Sequence, residues 1–335
     1  MKRLIEGVPA RGLVLLAVCA VLLIAAPYFV SDYVLSVLII VLYFAYTGQA
    51  WNLMIGFAGL LSLGHALFVG IGAYASAALF IHFGVGPWAG VFVAIVASVA
   101  AGSLIGYLGF RFSIHGVYFA LLTIAFAEFT LIVVDHIRWL GSTEGFFLPV
   151  SNRETIDLLN LRGSQAMFYY VILALTGAAL VLCRLLLNSK LGYYWQAIRE
   201  DQESAEAIGV HLFRYKMIAV AISSGLTGIA GVWYAFYYNN LFPESTFATG
   251  KSIEIILGTV VGGVGTLFGP ILGAFILTPL GEVLTALTEG LRIDGVKQFF
   301  WGICVAAIVL FRPAGLWPWI SSLLGLNPQR DGDKR

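Results

Sequence analysis

The sequence predicts an all-α polytopic membrane helix bundle of about ten transmembrane helices, and three observations predict it. Hydrophobic residues make up 60% of the 335 and charged residues only 11%, whereas an ordinary soluble domain is about a quarter charged. Ten apolar stretches approach the length of about 20 residues that a bilayer demands, because every backbone polar group must be paired inside the hydrocarbon. One segment, Gly192 to Lys216, is strongly polar in a chain that is otherwise apolar, so it must lie in water. The net charge of +1 leaves no electrostatic footprint for nucleic acid.

Taken in order, Lys2, Arg3 and Arg11 precede an uncharged stretch from Gly12 to Val30. A signal-peptide core is only about 7 to 15 residues long, so this reads as a retained first span. The later spans are expected near 33–55, 61–82, 87–109, 116–134, 166–187, 215–237, 253–264, 268–288 and 297–311. The eighth is short and runs into Gly262 and Gly263. With the N-terminus inside, this count puts thirteen of the nineteen Lys and Arg on the cytoplasmic side, as the positive-inside rule requires. Both termini and the polar segment are then cytoplasmic. The chain reads as one permease domain, residues 1–335, with halves 1–187 and 214–335 joined by the loop 188–214.

The longest outer connection runs from Asp135 to Gln165. Ser151 and Glu154 fit a capping box, which predicts a short surface helix over 152–161. Cys19, Cys183 and Cys304 lack metal or redox spacing and read as packing residues.

Glycine-rich breaks occur in each half, at 56–73 and 262–274. Successive glycines, with Pro270, weaken a continuous helix, and a broken helix exposes backbone groups that are tolerated only inside protein or around a water-filled path. The candidate translocation path is therefore Gly59, Ser62, Gly64, Gly262 and Gly263, with free N–H groups near Gly59 to Gly64 suited to a carboxylate. Glu128 and Glu282 lie within spans, where a carboxylate is costly and is either a functional group or a structural hydrogen bond. The histidines, His65 among them, show no catalytic or metal spacing. Gly250-Lys251-Ser252 lacks the earlier glycine of a phosphate loop, and Gly263, Gly265 and Gly269 miss the dinucleotide spacing. No catalytic, metal or cofactor site is expected.

Within the polar segment, Trp195, Ile198, Ala205 and Ile208 share one face at helical spacing, Gln202 interrupts it, and Gly209 is a C-terminal stop. The pattern predicts a short amphipathic helix, with a break near Asp201. It leaves open whether this is a solvated loop or a docking helix for a cytoplasmic partner.

Four stretches, 46–77, 110–128, 193–235 and 252–274, with the tail FRPAGLW at 311–317, resemble the membrane subunits of high-affinity branched-chain amino acid ABC importers, and among them the M-like subunit. The resemblance implies a permease without an ATP site of its own. Its implied partners are a related H-like permease, two cytoplasmic ATPases that use ATP and Mg, and an extracytoplasmic binding protein, in the bacterial inner membrane. AIREDQESAEAIGV matches the family's coupling loop, which implies contact with the ATPase by Trp195, Ala197, Ile198, Arg199, Glu200, Asp201, Glu203, Ala205 and Gly209. Tyr118, Phe119, Thr123 and Glu128 join the candidate path. The outer loop GSTEGFFLP (141–149) departs from the family pattern. Urea, short amides or polar amino acids remain alternative substrates, and an ion-coupled secondary transporter using Glu128 or Glu282 is a reading from another class.

Overall fold

The computed structural model describes residues 10–149, 157–288 and 295–324. Each of the ten predicted spans coincides with a helix: α1 Ala10–Phe29, α2 Asp32–Asn52, α3 His65–Phe83, α4 Pro87–Arg111, α5 Val117–His136, α6 Gln165–Leu187, α9 Leu212–Tyr238, α11 Thr249–Gly262, α12 Gly269–Thr288 and α13 Val296–Phe311. The polar segment forms α7 Lys190–Glu200 and α8 Gln202–Ala207, and the short helices α10 Pro243–Phe247 and α14 Leu316–Leu323 complete the described set. The chain is a multi-pass all-α membrane bundle.

Seven of these helices are long and apolar enough to cross a membrane by themselves, α2 counting together with the π turn Leu53–Phe57 that extends it. The eighth predicted span is α11, only 14 residues long, shorter than the roughly 20 residues a helix needs to cross a bilayer by itself. The tenth, α13, is followed by α14 at a bend of 59°.

Three helices, α2, α3 and α9, are mostly buried and form the centre, while α4, α5, α6 and α12 turn much of their surface outward. Small residues let the central helices approach: a side chain at Gly72 would run into Gly228 O, and one at Gly231 into Val69 O. Aromatic rings fill the gaps, Tyr43 stacking on Trp233 at 5.5 Å and Trp233 on Tyr237 at 4.7 Å.

The outermost helix, α1, is exposed along most of its length. Pro27 has no N–H, so Leu23 O loses its partner four residues on. Tyr169 Oη donates to that carbonyl at 2.7 Å, and Tyr170 Oη donates to Ile24 O at 3.0 Å. A proline defect thus becomes the point at which α1 is tied to α6. Cys183 is buried as a packing residue should be, but Cys19 lies on the exposed surface of α1.

On the predicted outer side, β1 Phe146–Phe147 pairs antiparallel with β2 Asn240–Leu241 and anchors the 141–149 loop to the end of α9. The expected helix over 152–161 is corrected in its described part. Residues 157–162 form a turn closed by a bridge between Asp157 and Arg162. The Asp157 carboxylate accepts from Leu159 N–H, Asn160 N–H and Asn160 Nδ2, which favours a turn over a helix. Ser151 and Glu154 lie outside the described residues.

Candidate functional site

The polar hairpin α7–α8 and the two glycine-rich breaks, far apart in sequence, meet at one place. Ser189 caps α7, its Oγ accepting from Leu191 N–H at 3.2 Å. Asp201 is extended and ends that helix; its carboxylate accepts from Ser204 N–H at 2.6 Å and so starts α8. That bond holds the Asp201 carboxyl below the usual carboxylate range. Gly209, at φ +91°, closes α8: its N–H reaches Glu206 O, and Val210 N–H reaches Ala205 O. This is the glycine-terminated helix end read from the sequence.

Trp195, Ile198 and Ala205 are buried, as the spacing predicts, and Trp195 Nε1 donates to Tyr215 O at 2.9 Å. Ile208 is a correction: it is 79% exposed, and Val210 takes its place against Ile198 and Ala205. The extended Asp201 breaks the helical phase, and the Gly209 turn then folds Val210 back inward. Gln202 accepts from Lys216 Nζ at 2.6 Å, which pins the interrupting residue to α9. Of the residues expected to meet a partner, Trp195, Ile198 and Ala205 hold the hairpin to the bundle, and Ala197 is half-buried. Arg199, Glu200, Asp201, Glu203 and Gly209 are exposed.

Beneath the hairpin lies the first break, residues 58–64, between the π turn and α3. Its backbone is paired by side chains from several elements. Ser62 O accepts from Trp51 Nε1 at 2.7 Å, and Leu63 N–H donates to Thr123 Oγ1 at 3.0 Å. Gly59 N–H and Leu60 N–H reach Ile55 O and Met54 O, and Gly64 N–H reaches Ser62 Oγ. Four N–H groups expected to be open to a carboxylate are therefore engaged in this conformation. His65 is also accounted for. Ser223 Oγ donates to Ala50 O, so His65 Nε2 must donate to Ser223 Oγ, and Nδ1 accepts from Ser62. A neutral histidine thereby ties three elements together.

The second break, residues 263–268, separates α11 from α12 and lies beside the π turn, where a side chain at Gly56 would run into Gly265 N. Asn52, at the end of α2, holds it: its Oδ1 accepts from Gly265 N–H at 2.8 Å and its Nδ2 donates to Thr266 O at 2.9 Å. Gln49 Nε2 donates to Leu267 O. On its other side the tail turn 312–315 packs so closely that a side chain at Gly315 would meet the Gly263 backbone, and Phe268 packs on Trp317 at 4.9 Å. The tail FRPAGLW is thus a cover for this break.

Gly59, Ser62, Gly64, Thr123, Gly262 and Gly263 accordingly belong to one junction. The other predicted path residues do not join it. Phe119 is buried and stacked on Phe110 at 5.1 Å, Tyr118 is 76% exposed, and Glu128 accepts from Thr249 Oγ1 at 2.6 Å where α11 begins. That contact is a hydrogen bond between two helices. Gln49, Asn52, Trp51 and Ser252, whose Oγ accepts from Ala66 N–H at 2.9 Å, were missed as site residues. The available signal was Gln49 and Asn52, two amides one turn apart in an apolar span.

Comparison with known proteins follows the same stretches. A family model described as the permease component of branched-chain amino acid transport systems matches residues 33–309. The chain is 27% identical to the high-affinity branched-chain amino acid transport system permease protein LivM of Escherichia coli, over 96% of this chain and 79% of that protein. It is 22% identical to the probable branched-chain amino acid transport permease protein LivM of Methanocaldococcus jannaschii, over 80% of this chain and 88% of that one. The autoinducer 2 import system permease protein LsrC of Salmonella paratyphi B is 29% identical over 39% of this chain and 37% of its own. No solved structure matches the chain.

Proposed function

We propose a function from one established premise: this chain belongs to the branched-chain amino acid transport system permease family. It is a multi-pass membrane permease component and not an enzyme. On that premise it is the membrane-spanning subunit of an ATP-binding cassette importer in the bacterial inner membrane, moving amino acids, branched-chain ones first. An extracytoplasmic binding protein delivers the substrate and a related H-like permease completes the path. Two cytoplasmic subunits use ATP and Mg to drive alternating access.

The observation that carries this reading is the two-sided hairpin α7–α8. Its apolar side is buried on α9, while Glu200, Glu203 and Glu206 are exposed on an edge, Glu206 within electrostatic reach of Lys216. A hairpin so anchored, lying against two broken helices, suits a site that receives motion from a motor on another chain. A carrier driven by an ion gradient has no need of such an edge.

The complete complex in proteoliposomes is expected to take up leucine only with ATP inside the reach of its motor subunits. Uptake by this chain alone, driven by an ion gradient, would remove the importer reading. Reversing Glu200, Glu203 and Glu206 to Lys is expected to abolish uptake while the protein still inserts and the motor still hydrolyses ATP; exposed substitutions of this kind leave folding largely intact. Calorimetry of the binding protein against leucine, alanine, urea and glutamate identifies the substrate.

A further inference from the structure

Arg199 belongs to the polar hairpin, yet its guanidinium reaches both the π turn that leads into the first break and the second break itself. Nη1 donates to Gly56 O in the π turn, and a side chain at Gly265 would overlap that same nitrogen. Gly265 lies at φ +81°, so both its conformation and the approach of Arg199 require glycine. The main chain of Arg199 supports the first break as well: a Cβ at Gly59 would come within 3.1 Å of Arg199 Cα.

Both breaks present the same end of a helix here. α2 with its π turn finishes at Phe57, and α11 finishes at Gly262. Each end carries the partial negative charge of a helix C-terminus, and Gly56 O accepts from Arg199 and from no backbone N–H beyond the π turn among the described residues. Two such ends converging favour a cation between them. A guanidinium suits the place because its donors form a rigid, spread fork, whereas an ammonium is a compact point charge.

We propose that Arg199 is a positioning residue that makes the hairpin and the two breaks move as one unit. The inference rests on the transport reading above. Three links build the unit: Trp195 holds α7 to α9, Arg199 holds α7 against Gly56 and Gly265, and Asn52 holds the second break to the end of α2 that leads into the first. Displacement of α7 by a motor therefore pulls on two helix ends that belong to opposite halves of the chain. Arg199 acts inward, on the membrane-embedded breaks, and the acidic edge beside it acts outward.

The test uses the complete reconstituted complex, with uptake and ATP hydrolysis measured together. Arg199→Ala is expected to lower uptake per ATP about tenfold, the effect of one charge-assisted hydrogen bond, and Arg199→Lys to recover part of that ratio. Gln196→Ala, an exposed neighbour on the same helix, is expected to keep the wild-type ratio. Hydrogen exchange on the wild-type complex, with and without nucleotide, is expected to change in 53–60 and 263–268 together. If Arg199→Ala does not assemble, Arg199→Lys and the wild-type exchange carry the test. A wild-type ratio in the Arg199 variants, or a nucleotide response confined to the hairpin, overturns the inference. A wild-type complex that shows no ATP-driven uptake refutes instead the transport reading on which it rests.

Discussion

The two glycine-rich breaks occupy the same place in the bundle but are held by different forces. The first, 58–64, is fixed by polar side chains: Trp51, Ser62, His65 and Thr123 each engage it or its edge, and their partners come from α2, α5 and α9. The second, 263–268, is fixed by close backbone packing against α12 and the tail turn, and by amides that reach over from α2. A side chain at Gly262 would run into Gly269 O, and one at Gly273 into Gly258 O. The first break is therefore wired to several elements, whereas the second is wired to α2 alone and packed backbone to backbone against α12 and the tail turn. Directional bonds fix a geometry until one is removed, whereas close-packed small residues let neighbouring segments slide as bodies.

The widest way to break this contrast is Asn52→Leu, which removes the bonds that tie the second break to the end of α2. It leaves the Gly265 N–H and Thr266 O without their partners, so a loss of about 2–4 kcal/mol is expected. Thermal denaturation in detergent measures it, and hydrogen exchange is expected to rise more in 263–268 than in 58–64. Equal increases in both would show that the two breaks are one cooperative segment.

Thr123→Val probes the opposite side. It leaves Leu63 N–H unpaired and is expected to cost about 1–2 kcal/mol, in keeping with the modest worth of side-chain hydrogen bonds between membrane helices. Here exchange is expected to rise in 58–64 and to stay unchanged in 263–268. A response in the second break would mean that the wiring reaches across Asn52.

The smallest effect concerns the hairpin above them. Asp201→Ala removes the cap of α8 and is expected to speed amide exchange at Gln202–Ala207, while Asp201→Asn, also a good cap, is expected to leave it slow. Because the folded carboxyl sits below its usual range, the cap is fully present above the ordinary Asp value and is lost as pH falls through the lowered one. Exchange at α8 that does not respond to acid in that window would show that burial of Ala205 and Val210, and not the cap, holds the helix.

Much of this was legible in the residues. The ten apolar stretches found their helices because the bilayer leaves a spanning segment no alternative to internal hydrogen bonding. Asp201 and Gly209 ended helices where they were expected to, since capping and left-handed turns depend on a few adjacent residues. The failures came from carrying a local pattern past the point where it breaks. Ile208 was assigned to the buried face because a single helical phase was assumed across Asp201, and α11 was counted as a span although it stops at Gly262.

By itself, then, the sequence determined the membrane class, the order of helices, the polar hairpin and the positions at which helices break, because each depends on local composition and backbone preference. Only the tertiary structure decided that Gly56 and Gly265 meet under Arg199, that Asn52 ties the second break to α2, and that Glu128 meets Thr249. Such pairings link residues up to 214 positions apart. They are set by which helix ends the packing brings together, and a polar group inside the bundle must find its partner there or lose the energy of water.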